Sequence, residues 1–153
     1  MNVIASPKMG KSWMVTDLAL AVASGRKWLD IFETVRGNVL IIDNELHRET
    51  SANRIPKVMK ARGISMEEVG DKLFVENVRG KLQDIYGLND YFDQLKPGKF
   101  KLIILDAFYR FMPKDTTDEN DNGSMSHVYN LLDSMGCHQL PHTEPPLATN
   151  PLG

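Results

Sequence analysis

The 153-residue chain reads as a single α/β domain, a mostly parallel sheet with helices on both faces that is incomplete at its C-terminus. Three observations predict this. The runs Asn38–Asp43 (NVLIID) and Lys101–Asp106 (KLIILD) are apolar without polar alternation, as strands buried on both faces are, and each ends in an acid. Stretches with helical spacing alternate with these runs, which implies right-handed crossovers between parallel strands. The length admits one domain at roughly 100 to 200 residues each. Ligands of such sheets bind beyond the carboxyl ends of the strands, so chemistry is expected in residues just past a strand.

In order along the chain, Asn2–Ala5 is a short apolar strand that runs into the turn-rich segment Ser6–Gly10. From Lys11 to Ser24, Val15, Leu18, Ala19 and Val22 recur at spacings of three and four, and Gly25 stands at the expected C-cap; this is the first helix. Asn38–Asp43 is the second strand. A helix follows over about Glu49–Arg62, closed by Gly63, with Pro56 arguing for a late start or a kink. A helical turn at Met66–Val69 leads to a weaker strand at Lys72–Glu76. Asp84–Leu95 is an amphipathic helix ended by Pro97-Gly98, and Lys101–Leu105 is the fourth strand.

The polar, acidic segment 112–123 reads as a loop before a helix over about Ser124–Met135. Residues 138–153 contain Pro141, Pro145, Pro146 and Pro151, no Lys or Arg and no periodicity, so the expected division is a partial core over 1–137 and an irregular tail over 138–153. A further apolar strand, expected in this region of a parallel sheet, is missing.

Composition excludes several classes of function. Eighteen Lys+Arg against twenty Asp+Glu give a formal charge of -2, which lacks the positive field of a nucleic-acid-coating module. The single cysteine, Cys137, excludes an intrachain disulfide framework and a Cys-cluster zinc site and fits a reducing compartment, so cytoplasm is the expected location. The longest apolar stretches fall short of the roughly 20 residues that span a bilayer, and no secretory leader is seen, so no membrane partner is expected.

The run Ala5-Ser6-Pro7-Lys8-Met9-Gly10-Lys11-Ser12 differs from the phosphate-binding pattern G-x-x-x-x-G-K-[ST] only in Ala5. Backbone N–H groups of Pro7–Trp13 beyond the proline, with the N-terminus of the following helix, would face a polyphosphate. Lys11 would reach the β- and γ-phosphates, and the Ser12 hydroxyl would bind Mg²⁺. Taken alone, a chance G-K-S tripeptide in a surface turn is an equal alternative; its place between strand and helix favours the loop. Asp106 at the end of its strand would help hold Mg²⁺, or alternatively caps the next turn. Glu45, just past the second strand, would orient an attacking water, or is simply solvated; Asp43 would support it or cap the turn.

With these blocks in place, the sequence resembles the RecA-like P-loop ATPases, and more closely the AAA-type family that includes the plasmid RepA hexameric replicative helicases. The resemblance rests on ASPKMGKSW, SGRKWL, GNVLIIDNE, KLIILDAFYRF and DENDN and covers about Asn2–Cys137. It implies Lys11 and Ser12 as the Walker A pair, Asp106 as the Walker B aspartate, Glu45 as the water-activating glutamate, ATP and Mg²⁺ as cofactors, and a homo-hexamer with an arginine supplied by the neighbour. Departures from the family pattern are Ala5, the short first strand and the missing strand after Cys137. The expected function is an Mg-dependent ATPase core related to replicative DNA helicases. The alternatives are a non-hydrolysing nucleotide-dependent regulatory or assembly module, or an inactive fragment.

Other residues carry weaker signals. Trp13 and Trp28 read as packing residues, although Trp13 also adjoins the loop. Phe108, Tyr109 and Phe111 are candidates to stack the bases of single-stranded DNA, against a more ordinary core role. Lys57, Lys60 and Arg62 read as a solvated face. Arg110 reads as a surface or loop-anchoring residue. The acidic loop does not meet calcium-loop spacing, the histidines show no ligand set, and the absence of G-x-G-x-x-G disfavours a dinucleotide-binding oxidoreductase.

Overall fold

Glycines with left-handed backbones bound the first helix on both sides, as their positions suggest. In the computed structural model, which describes residues 9–45, 47–81, 85–112, 126, 129–131 and 133–134, helix α1 spans Lys11–Ser24. Gly10 precedes it at φ 83°, and Gly25 ends it at φ 78° with its N–H donated to the Ala21 carbonyl at 2.8 Å. The remaining described elements are β1 (Val39–Asp43), α2 (Arg48–Arg62), α3 (Met66–Val69), β2 (Leu73–Asn77), α4 (Ile85–Asp93), β3 (Leu102–Asp106) and a 3₁₀ turn at Phe108–Phe111. The expected first strand at 2–5 and the tail at 138–153 lie outside the described residues, as does Asp84. Of the helix expected over 124–135, the described residues Ser126, Tyr129–Leu131, Asp133 and Ser134 are helical.

Among the described residues the sheet has three strands, all parallel, in the order β2-β1-β3. This is the α/β arrangement expected from the sequence. The central strand β1 is buried throughout, which explains its unbroken apolar run. Val39 and Ile41 point to one face and join Ala19, Leu20 and Ala23 of α1, Val58 and Met59 of α2, and Ile104. Leu40 and Ile42 point to the other, with Ile85, Leu88 and Phe92 of α4, Phe100 and Phe111. Helices thus cover both faces. Helix α1 lies against all three strands and also against α2 and α3, so Leu20, Ala21 and Ala23 are as buried as Ala19, and the one-sided stripe expected from its spacing is too narrow.

Pro56 does not delay the start of its helix. It lies within α2, where it and Ala52, whose carbonyl loses an N–H partner, are both exposed, so water can serve that carbonyl. Arg62 is not part of a solvated face: its guanidinium meets Asp17 of α1 at 2.9 Å and Asp30 at 2.8 Å, tying the end of α2 to α1, whereas Lys57 and Lys60 are exposed. The 3₁₀ turn is not foreshadowed by any sequence pattern. Phe111 is completely buried, and Phe108 packs against the same cluster and stacks on Tyr129 at 6.3 Å between centroids. Neither ring is therefore open to stack a nucleic-acid base; Tyr109, at 60% exposure, is. Among the described residues no helix is long and apolar enough to cross a membrane.

Candidate functional site

An α-helix leaves its first N–H groups without carbonyl partners in the preceding turn, so its N-terminus is a positive end that attracts anions. At α1 the residue that opens this end is Gly10. Its carbonyl accepts the N–H groups of Trp13 and Met14 at 3.0 and 3.1 Å. A Cβ at Gly10 would meet nothing within 4 Å, so the demand for glycine comes from the φ of 83° and not from crowding. Lys11 and Ser12 are the first two residues of the helix, and the buried Thr16 hydroxyl donates to the Ser12 carbonyl at 2.6 Å, fastening that turn. Met9 is exposed. Pro7 and Lys8 lie outside the described residues.

The parallel register brings the strand ends to the same edge as this turn. Asp43 of β1 stands beside Asp106 of β3. Asp43 is 3% exposed and accepts the Ser51 hydroxyl at 2.8 Å and the Glu45 N–H at 3.0 Å. It therefore closes the turn that carries Glu45, one of the two roles anticipated for it. The buried Asn44 joins the two strand ends. Its N–H donates to the Asp106 carbonyl at 2.8 Å and its amide to the Arg110 carbonyl at 3.4 Å. Glu45 is half-buried, two residues past the strand.

Asp106 is the electrostatic centre of this cluster. Burial pushes its carboxyl above the ordinary range; the Ser12 hydroxyl hydrogen bond opposes that shift, the Asp43 carboxylate adds to it, Arg54 opposes it and Glu45 adds to it. Helix α1, both strand ends and α2 thus meet around one carboxylate. A divalent cation beside the Asp106 carboxyl would offset the burial and the neighbouring carboxylates that raise its pKa. Among the described residues no group of three His, Cys, Asp or Glu could hold a metal by itself.

Arg54 is the participant that sequence reasoning missed. Its guanidinium lies 5.1 Å from the Trp13 ring centroid while attracting Asp106. The signal was present in α2, where Ser51, Arg54, Ile55 and Val58 recur at inward-facing spacing and two of the four are polar. Trp13 is not a core residue. It is 46% exposed and, with Thr50, Asn53, Arg54 and Lys57, borders an open cleft of about 230 Å³ beside the α1 N-terminus. A smaller recess beneath it is lined by Thr16, Asp43, Ser51, Arg54 and Asp106. On the far side of the cluster, Tyr109 donates its hydroxyl to Glu45 Oε1 at 3.4 Å and accepts from Arg110 Nε at 3.1 Å, and Arg79 donates to the Glu45 carbonyl at 3.3 Å.

The geometry unites Ser12, Asp43, Glu45 and Asp106 at the end of a parallel sheet, with Lys11 opening the adjacent helix. Comparison with curated proteins gives no match. The family model described as AAA domain matches residues 1–140, nearly the whole chain, and the chain therefore belongs to this AAA family of P-loop, nucleotide-binding ATPase-type domains.

Proposed function

We propose that the chain binds Mg-ATP between the α1 N-terminus and the ends of β1 and β3, and hydrolyses it. The observation that supports this best is the convergence of the α1 N-terminus on paired strand ends: Asp43 and Asp106 stand side by side, and Ser12, Asp43 and Glu45 all act on the Asp106 carboxyl. In this reading Lys11 neutralises charge on the β- and γ-phosphates, and the positive end of α1 binds their oxygens. Ser12 and Asp106 hold Mg²⁺. The bound metal supplies neutralisation of the charge that develops on the phosphoryl oxygens. Glu45 orients a water for in-line attack on the γ-phosphorus and takes up its proton, while the bond from that phosphorus to the bridging oxygen breaks and ADP leaves with the bridging oxygen's electrons; Asp43 fixes the turn from which Glu45 reaches.

The same reading extends to a relative of hexameric replicative helicases, a homo-oligomer with single-stranded DNA as partner. The order and spacing of the sequence blocks support it. The test is calorimetric titration of the purified chain with Mg-ATP beside Lys11→Ala, with thermal melting of both proteins. Saturable binding by the wild type, weakened at least 100-fold in a folded Lys11→Ala, is expected. No binding by a folded wild-type chain sinks the proposal.

A further inference from the structure

The 3₁₀ turn after β3 divides its side chains into two sets. Phe111 is fully buried and Phe108 packs into the α4-side core and on Tyr129, so these rings anchor the turn. Tyr109 and Arg110 are exposed. Exposed aromatic and basic side chains ordinarily stay solvated, but these two form a directed chain. Arg110 Nε donates to the Tyr109 hydroxyl at 3.1 Å, and that hydroxyl donates to Glu45 Oε1 at 3.4 Å. The Arg110 guanidinium also lies over the Tyr109 ring at 5.6 Å from its centroid, which holds the ring from a second side.

Backbone bonds align the two ends of this chain. Asn44, next to Glu45, reaches both the Asp106 and the Arg110 carbonyls, so the turn that presents Glu45 and the turn that presents Tyr109 are fastened to each other. A carboxylate has two oxygens. A donor on Oε1 leaves Oε2 to accept from a water and restricts rotation about the terminal torsion of Glu45, which is otherwise broad. A hydroxyl whose own lone pair accepts from a guanidinium is polarised toward donation.

We infer that Tyr109, backed by Arg110, is a positioning residue for Glu45: it fixes which carboxylate oxygen faces the water without touching nucleotide. This rests on the proposed Mg-ATP hydrolysis. Loss of the hydroxyl then disorders Glu45 and slows the chemical step, and leaves nucleotide affinity alone because the phosphates are held by the α1 end.

The experiment measures steady-state ATP hydrolysis and calorimetric Mg-ATP affinity for the full chain, Tyr109→Phe, Arg110→Gln and the double variant, with melting curves for each. Phenylalanine keeps the exposed ring, so folding should be unaffected. The expected result is a kcat lowered about five- to tenfold in Tyr109→Phe with Kd unchanged within about twofold. Arg110→Gln should lower kcat alone and add nothing to Tyr109→Phe, because it acts through the hydroxyl. An unchanged or raised kcat, a Kd weakened as much as the rate, or additive effects of the two substitutions overturns the inference and leaves the proposed hydrolysis standing. A wild-type chain that binds Mg-ATP without turnover overturns the inference while keeping nucleotide binding; one that does not bind overturns both.

Discussion

Asp106 illustrates how a single side chain can oppose stability at a crowded strand end. Burial and the neighbouring Asp43 and Glu45 carboxylates raise its pKa in the folded state, more than the Ser12 hydrogen bond and Arg54 lower it. Between the unfolded and the raised folded pKa the native chain binds more protons than the unfolded one, so this group's contribution falls as pH rises. It is most favourable below the ordinary aspartate range and is lost as the pH passes the folded pKa. Asp106→Asn keeps an acceptor for the Ser12 hydroxyl and removes the charge. It should melt higher than wild type at pH 7, with the difference shrinking at pH 4, while Mg²⁺-dependent nucleotide binding weakens. Paired melting curves at the two pH values check the sign.

Residue types and their order in the chain single out Gly10, Lys11, Ser12, Glu45 and Asp106, because each stands next to a strand or helix end that the apolar pattern marks. Arg54 and Tyr109 escape such reading. Their positions are defined by what crosses to them from other elements, Trp13 and Asp106 in one case and Glu45 in the other.

Among the elements, α1 is the most legible, since glycine stands on both sides of it and only glycine readily takes φ near 80° there. β1 and β3 are legible as unbroken apolar runs, and the structure moves the start of β3 by a single residue, from Lys101 to Leu102. α2 is harder. Its start at Arg48 is ahead of the expected Glu49, and Pro56 is tolerated because its cost falls on exposed backbone while Val58 and Met59 pack behind it. That cost is still present. Pro56→Ala should stabilise the domain: a helix-interior proline costs about 3 kcal/mol, offset by about 1 kcal/mol of added unfolded-chain entropy, a net gain of roughly 2 kcal/mol. Urea unfolding with an unchanged m-value would register it as a higher midpoint. A destabilised variant would mean that the proline ring makes a contact that its exposure hides.

At the scale of the whole molecule, β1 is the axis. Val39 and Ile41 belong to the core under α1 and α2, and Leu40 and Ile42 to the core under α4. Both cores therefore depend on one five-residue strand, the same strand that aims Asp43 and Glu45. Ile42 is fully buried, and Ile42→Ala should cost about 2 to 5 kcal/mol. Against the roughly 5 to 15 kcal/mol that hold an ordinary domain, that is a large share, and it should appear in denaturant titration as a lower midpoint. A loss below about 1 kcal/mol would show that the core under α4 closes around the missing side chain.

Local sequence by itself determined the alternation of helix and strand, the strand-end position of the acids and the glycine-led helix start. Each of these follows from periodicity, backbone sterics and burial of a short run, which operate within a few residues. Tertiary structure alone decided that Ser12 meets Asp106, that Asp43 is spent on Ser51 and the Glu45 backbone, that Arg62 pairs with Asp17, and that Phe108 and Phe111 face inward while Tyr109 reaches Glu45. The reason is physical. Register in a parallel sheet and the packing of helices across it set distances between residues remote in the chain, and hydrogen bonds and charges act over only a few ångströms.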